Sequence, residues 1–271
     1  MYIISYIFMR GDFMPSMYAH YRFGARMLDS LPQDLQRDIR HMRRLYNAGA
    51  QGPDFFYYYN PLFHTAVGDL GGAFHDQSGR DFFTAAAAAL KQAPSEGGRA
   101  YLYGLLAHYA LDSACHPFVH EQTDSGEISH SELEVEFDRY LLELDGQTEP
   151  CLYDSSRNLK LTRGECDTAA LFYPGVKPAA VRAAFRRMAL LTRMLAMRNR
   201  KLLTWLAERA GSTARNMVMH EQSNGHCAFL NAPMLERYEE AEGRFIRLAP
   251  QLAAHLEQGE GLGEDWQPTF G

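Results

Sequence analysis

Ala107-His108-Tyr109-Ala110-Leu111-Asp112-Ser113-Ala114-Cys115-His116 spaces two histidines and an aspartate at four-residue intervals. In an α-helix, residues four apart share a face, so these three side chains form one stripe. Tyr101, Leu102, Leu105, Leu106 and Leu111 make the same helix apolar on nearly every side, which predicts burial. A carboxylate buried between histidines needs a partner for its charge, because desolvating it alone is costly. A divalent metal is the simplest such partner. His108 and His116 are roughly 12 Å apart along the helix axis. Bonds from zinc to nitrogen are only about 2.1 Å long, so one ion cannot serve both rings. If both rings are ligands, Asp112 lies between two metal positions and its two oxygens could bridge them. Paired ions are the usual machinery for displacing a phosphoester oxygen.

Other candidate ligands surround this stripe. His130 and Glu134 repeat the four-residue spacing and would complete the shell of a second ion. The plainer reading of Ser131-Glu132-Leu133-Glu134 is a capping box, in which Glu134 only ties down a helix start. Asp138 extends the same face as a surface group or as a carboxylate supporting a ligand histidine. Asp54 follows Gly52-Pro53, where the backbone can approach a ligand closely, although Gly-Pro-Asp is also ordinary turn chemistry. His20 reads equally as a packed histidine. His64 and His75 compete for one role, and His75, followed by Asp76, has the more polar setting. His41, His220, His226 and His255 have no partners at useful spacing.

Helical periodicity dominates the chain, and no alternating run is long enough for a sheet. Helices are expected from Ser30-Leu31-Pro32 to Tyr46, from Asp81 to Gln92 and from Gly98 to the His116-Pro117 step, where proline disfavours continuation. Further helices are expected over Ser131–Leu144, over Pro178–Ala210 and after Pro233. An aromatic loop (Phe55, Phe56, Tyr57, Tyr58, Tyr59) follows the first helix, and residues 151–177 read as irregular. The expectation is a single-domain, all-α, multi-helix bundle over residues 14–258, with an N-terminal extension at 1–13 and a loose tail at 259–271. At 271 residues and 46% apolar content the chain can build a full core. A net charge of −6 gives no global basic field to attract nucleic acid, and no stable nucleic-acid complex is expected. The four cysteines are scattered without a CxxC pair, which favours a reducing compartment. The short apolar start, Met1 to Met9, is a poor secretion signal and cannot span a bilayer, so a cytoplasmic location is expected.

The combination resembles the bacterial zinc-dependent phospholipase C family, whose wider fold group includes single-strand-specific nucleases. The matching pieces are His20 in an HxxFG setting, the Gly52-Pro53-Asp54 turn, the HxxxD of His108 and Asp112, the nearby Pro117, and the HxxxE of His130 and Glu134. They occur in the family's order across roughly residues 14 to 145. The resemblance implies an all-α fold with two or three zinc ions that hydrolyse phosphodiesters. It implies one ion held by Asp54, His75, His108 and Asp112, a second by His116, His130 and Glu134, and a third by His20 with the Asp112 bridge. It also implies that Asp54, or a zinc-bound hydroxide, deprotonates the attacking water. His120 is the alternative to His116, because the family places a histidine just after the proline. Secreted members use an N-terminal tryptophan at the third ion, which neither Met1 nor Met14 supplies. The implied substrate is a phospholipid first and a nucleotide or single-stranded nucleic acid second, with peripheral membrane contact possible.

Other classes fit less of the sequence. An HD-type phosphohydrolase would use His75-Asp76 but leave the His108 stripe unexplained. His120-Glu121 and His220-Glu221 both lack the second histidine of a peptidase HExxH motif. A metal-stabilised scaffold whose activity has lapsed is the non-enzymatic alternative. The basic helix after Pro178 could meet an anionic membrane or a nucleic-acid backbone. Its commoner role is a solvated face paired with the chain's excess carboxylates.

Overall fold

The computed structural model describes residues 16–60 and 65–271, so the expected extension at 1–13, Met14 and His64 lie outside the described residues. The first half of the chain forms α1 (Met17–Asp29), α2 (Gln33–His41), α3 (Arg43–Gly49), α4 (Asp69–His75), α5 (Gly79–Gln92) and α6 (Glu96–Thr123). The second half forms α7 (His130–Leu144), α8 (Arg163–Ala170), α9 (Pro178–Leu195), α10 (Arg200–Ala210), α11 (Ser212–Asn216) and α12 (Asn231–Gln258). Among the described residues there is no strand, only an isolated bridge between Ser78 and Thr269, and the fold is all-α.

α6 is the axis of the molecule. The Ser95 hydroxyl caps it by accepting from the Gly98 N–H, and every residue from Ala100 to Asp112 is buried. It packs most extensively on α3 and α12. The contact with α3 is a backbone-to-backbone approach at Gly49 and Gly104. A Cβ on Gly49 would strike the Tyr101 carbonyl oxygen, and one on Gly104 would strike that of Tyr46. Side chains at these two positions would force the helices apart, so glycine sets their spacing.

Four element boundaries differ from the sequence reading. α6 does not stop at Pro117 but continues to Thr123. The proline removes one intrahelical hydrogen bond, while the fully buried Val119 anchors the following turn in the core. The helix expected from Ser30 to Tyr46 is two helices, parted at Met42, whose backbone (φ −106°, ψ 27°) leaves the helical region. Pro178–Ala210 is likewise two helices. Asn199 caps the second of them by accepting from the Leu202 N–H. Within the supposedly irregular stretch, Thr162 and Glu165 form a reciprocal capping box that starts α8.

Residues 259–271 correct the expectation of a loose tail. Trp266 and Phe270 are both 0% exposed. The Trp266 indole stacks on Tyr109 at 5.8 Å between centroids and donates to Gln251 Oε1 at 2.9 Å. The Gly79 N–H donates to the Pro268 carbonyl at 3.0 Å, and the Phe270 N–H donates to the His75 carbonyl at 3.0 Å. Apolar burial, not periodicity, orders this segment, which is why a periodicity search passes over it. Trp266→Ala is expected to cost about 3–5 kcal/mol of stability. Urea unfolding would read this as a lowered midpoint, and an unchanged midpoint would mean the segment is loose in solution.

Candidate metal centre

Four elements deliver the first group of polar side chains. α1 carries His20, the 3-10 helix Gly52–Tyr59 carries Asp54, α4 ends on His75, and α6 carries His108 and Asp112. All five residues are buried. His108 Nε2 lies 2.9 Å from Asp112 Oδ2 and 4.0 Å from Asp54 Oδ1. His75 Nε2 lies 3.1 Å from Asp54 Oδ1 and 3.6 Å from Asp112 Oδ2. In a tetrahedral zinc site with bonds near 2.1 Å, neighbouring donors lie about 3.4 Å apart. The distances here scatter about that value.

The orientation of these atoms tests whether a metal fits. Asp54 Oδ1, His75 Nε2, His108 Nε2 and Asp112 Oδ2 are buried and lack a hydrogen-bond partner despite their closeness. His75 Nδ1 donates to the Gly71 carbonyl at 2.7 Å, which in the neutral ring leaves a lone pair on Nε2. That lone pair faces carboxylate oxygens. Such an arrangement is repulsive until a cation lies between the atoms, and a divalent ion fits it. A proton can also supply the charge. Burial disfavours the charged form of His75, but the neighbouring Asp112 and Asp54 push its pKa up to about 10. Burial would raise the Asp112 carboxyl, yet His108, His20 and His116 hold it well below the usual range. His108 itself is lowered, chiefly by burial.

His20 faces the other side of both carboxylates. Its Nε2 is 3.3 Å from Asp112 Oδ1 and 3.9 Å from Asp54 Oδ2. Its Nδ1 also meets His108 Nδ1 at 3.3 Å. Between neutral rings that contact needs one protonated Nδ1 and one bare Nδ1. The accepting ring then keeps its proton on Nε2 and cannot offer that atom to an ion. If His108 Nε2 serves the group of four donors, His20 is the acceptor and carries its proton on Nε2, the atom 3.3 Å from Asp112 Oδ1. In that tautomer His20 Nε2 carries a proton and is not available to a third ion.

The second group joins α6 to α7. His130 Nε2 lies 3.0 Å from Glu134 Oε1, and His116 Nε2 lies 3.8 Å from the same oxygen. Burial opposes ionisation of Glu134, but His130 and His116 bring its pKa down to about 2. The capping-box reading of Glu134 does not hold, because Ser129 caps α7 by accepting from the Glu132 N–H. His120 is exposed, with its ring centroid 5.7 Å from those of His116 and His130. Donor atoms within 4.8 Å of one another define two groups, Asp54-His75-His108-Asp112 and His116-His130-Glu134, which His120 does not join. The groups adjoin where the His75 and His116 rings approach to 6.2 Å.

Asp138 takes a different part from either sequence reading. It touches no imidazole in hydrogen-bond geometry. Instead it accepts from the Tyr18 and Ala19 N–H groups (2.9 and 2.8 Å) and from Ser16 Oγ (3.1 Å). The carboxylate thereby caps the start of α1, two residues before His20. The C-terminal segment is the part of the site that sequence reasoning missed. The Phe270 ring lies 6.2 Å from His75 and 5.9 Å from His108, and the Gly271 backbone rests on the His116 ring. The available signal was two large aromatics in a stretch too polar to read as a helix.

Residues 19–181, more than half of the chain, match the zinc dependent phospholipase C family, and the chain belongs to that family. Comparison with curated proteins and with solved structures finds no match in either. The matched span contains all eight candidate ligands.

Gly52 backs the centre. Its φ is +51°, and a Cβ there would collide with the His108 ring. Gly52→Ala is expected to destabilise the fold by about 1–3 kcal/mol. Chemical denaturation checks this, and wild-type stability would mean that His108 is not seated against this backbone.

Proposed function

We propose that the protein is a zinc-dependent phosphodiester hydrolase acting on phospholipids, with one ion in each of the two groups. The observation that carries this reading is the convergence of Asp54, His75, His108 and Asp112 through buried atoms that hydrogen bonding leaves unpaired. When bound, the ions would supply Lewis acidity, which makes water acidic near neutrality and offsets charge on phosphate oxygens. Asp54 is the proposed base. Its Oδ1 faces His75, while Oδ2 turns toward His20 and can take a proton from the attacking water. His20 packs beside Asp112, its Nε2 3.3 Å from Oδ1, and Asp138 holds the helix that carries His20. Glu134 aligns His130 and His116 for the second ion.

Elemental analysis of the purified protein tests the metal assignment, and release of phosphorylated head group from phosphatidylcholine tests the activity. Two zinc ions per chain are expected. Asp112→Asn should lose at least one ion and lower the rate by about 100-fold or more. His20→Ala should keep both ions. Metal-free wild-type protein, or an Asp112→Asn protein with full metal content and rate, would overturn the assignment. Faster cleavage of single-stranded nucleic acid than of lipid would overturn the choice of substrate.

A further inference from the structure

Charge is unevenly distributed along the chain. Residues 177–215 contain ten of its 27 Lys and Arg but one acid, Glu208. This stretch is therefore +9 in a chain whose net charge is −6, and it comprises α9, α10 and the start of α11. The expected pairing of this face with the chain's carboxylates occurs at Arg182, which meets Asp167. Among the described residues, Arg186, Arg193 and Lys201 have no carboxylate partner, and all three are exposed.

Apolar side chains are exposed on the same two helices. Leu190 (58%) and Met194 lie four residues apart on α9, in register with Arg186 and Arg193. On α10, Leu202, Trp205 (50%) and Leu206 share a face with Lys201 and Arg209, and the Arg209 guanidinium lies 4.6 Å from the Trp205 ring centroid. Burying five such side chains would be favourable, and among the described residues nothing buries them. Exposed leucine, methionine and tryptophan among unpaired cations match the chemistry of an anionic bilayer surface. The cations meet lipid phosphates while the apolar groups enter the acyl boundary. Tryptophan in particular favours that interface.

We infer that the α9–α10 arm, through Leu190, Met194, Leu202, Trp205 and Leu206 with their basic neighbours, is the surface that seats the protein on an anionic phospholipid bilayer. This deepens the phospholipid reading above and rests on it for its purpose. The arm also connects to the candidate centre. Phe185 of α9 stacks on Phe55 at 4.2 Å, and Arg187 lies 5.0 Å over the Tyr59 ring. Both aromatic residues belong to the 3-10 helix that carries Asp54. α9 thus packs, through one layer of aromatic rings, against the 3-10 helix that carries Asp54.

Vesicle binding tests this apart from hydrolysis. The chain has two tryptophans, and Trp266 is buried, so a change in emission on adding vesicles reports Trp205. The full-length protein is expected to co-sediment with vesicles of phosphatidylcholine and phosphatidylglycerol, with a blue shift that weakens in high salt. It should bind phosphatidylcholine vesicles much less. Arg186→Glu with Arg193→Glu, and separately Trp205→Ala with Leu206→Ser, should each lower partitioning about tenfold or more. Hydrolysis of a soluble phosphodiester should stay at the wild-type level in both. Binding by a protein that hydrolyses nothing would sink the proposed function and leave the surface standing. An active enzyme with no blue shift and no preference for anionic vesicles would overturn the surface. So would tighter binding of single-stranded RNA than of vesicles, or a dimer that Trp205→Ala with Leu206→Ser converts to monomer.

Discussion

Burying carboxylates without leaving their charge unanswered is the constraint on which this structure depends. Asp54, Asp112, Glu134, Glu136 and Asp138 are all withdrawn from water. Desolvating a carboxylate is so unfavourable that each must face a cation or several donors. Glu136 is answered by Arg139, with contacts of 2.6 and 2.7 Å, and Asp138 by backbone N–H groups of α1. Asp54, Asp112 and Glu134 face imidazole nitrogens instead. Imidazole can be neutral and offer a lone pair, so these three are where the fold invites a metal rather than fixing a salt bridge.

The scaffold keeps that arrangement in register by close packing. Glycines at the α3–α6 crossing bring the two backbones together, and Gly52, just beyond α3, backs the His108 ring. Pro53, at the start of the 3-10 helix, fixes the local backbone from which Asp54 extends. The C-terminal segment closes the opposite side through Phe270, held by its N–H on the His75 carbonyl and by ring contacts with Phe82 and Tyr109. Residues distant in sequence thus enclose the centre, and the closure has the character of a core rather than of a loop.

Negative and positive charge are separated in the same fold. Acidic candidate ligands collect around α6 and α7, while residues 177–215 carry ten of the chain's 27 Lys and Arg. A negatively charged substrate surface would be repelled by most of the chain and attracted by that arm, which favours one orientation of approach. The short aromatic stack between Phe185 and Phe55 makes the arm and the wall of the centre one packed unit.

The i, i+4 spacing of His108, Asp112 and His116 on an apolar helix was legible because helix geometry alone turns that spacing into a shared face. The HxxxE of His130 and Glu134 was legible for the same reason, though spacing could not separate a ligand from a cap. Only the folded backbone shows Ser129 at the cap and Glu134 turned toward His116. Likewise, spacing favours His116 because it extends the stripe, but only the fold shows His116 buried beside Glu134 and His120 exposed. The approach of His75 to Asp54, the His20–His108 contact and the cap that Asp138 places on α1 join segments far apart in the chain. So does the seating of Phe270. Sequence by itself determined which side chains could share a helical face and that the chain would be helical, because both are set by near neighbours. Tertiary structure decided which faces meet, because that depends on which buried surfaces fit together.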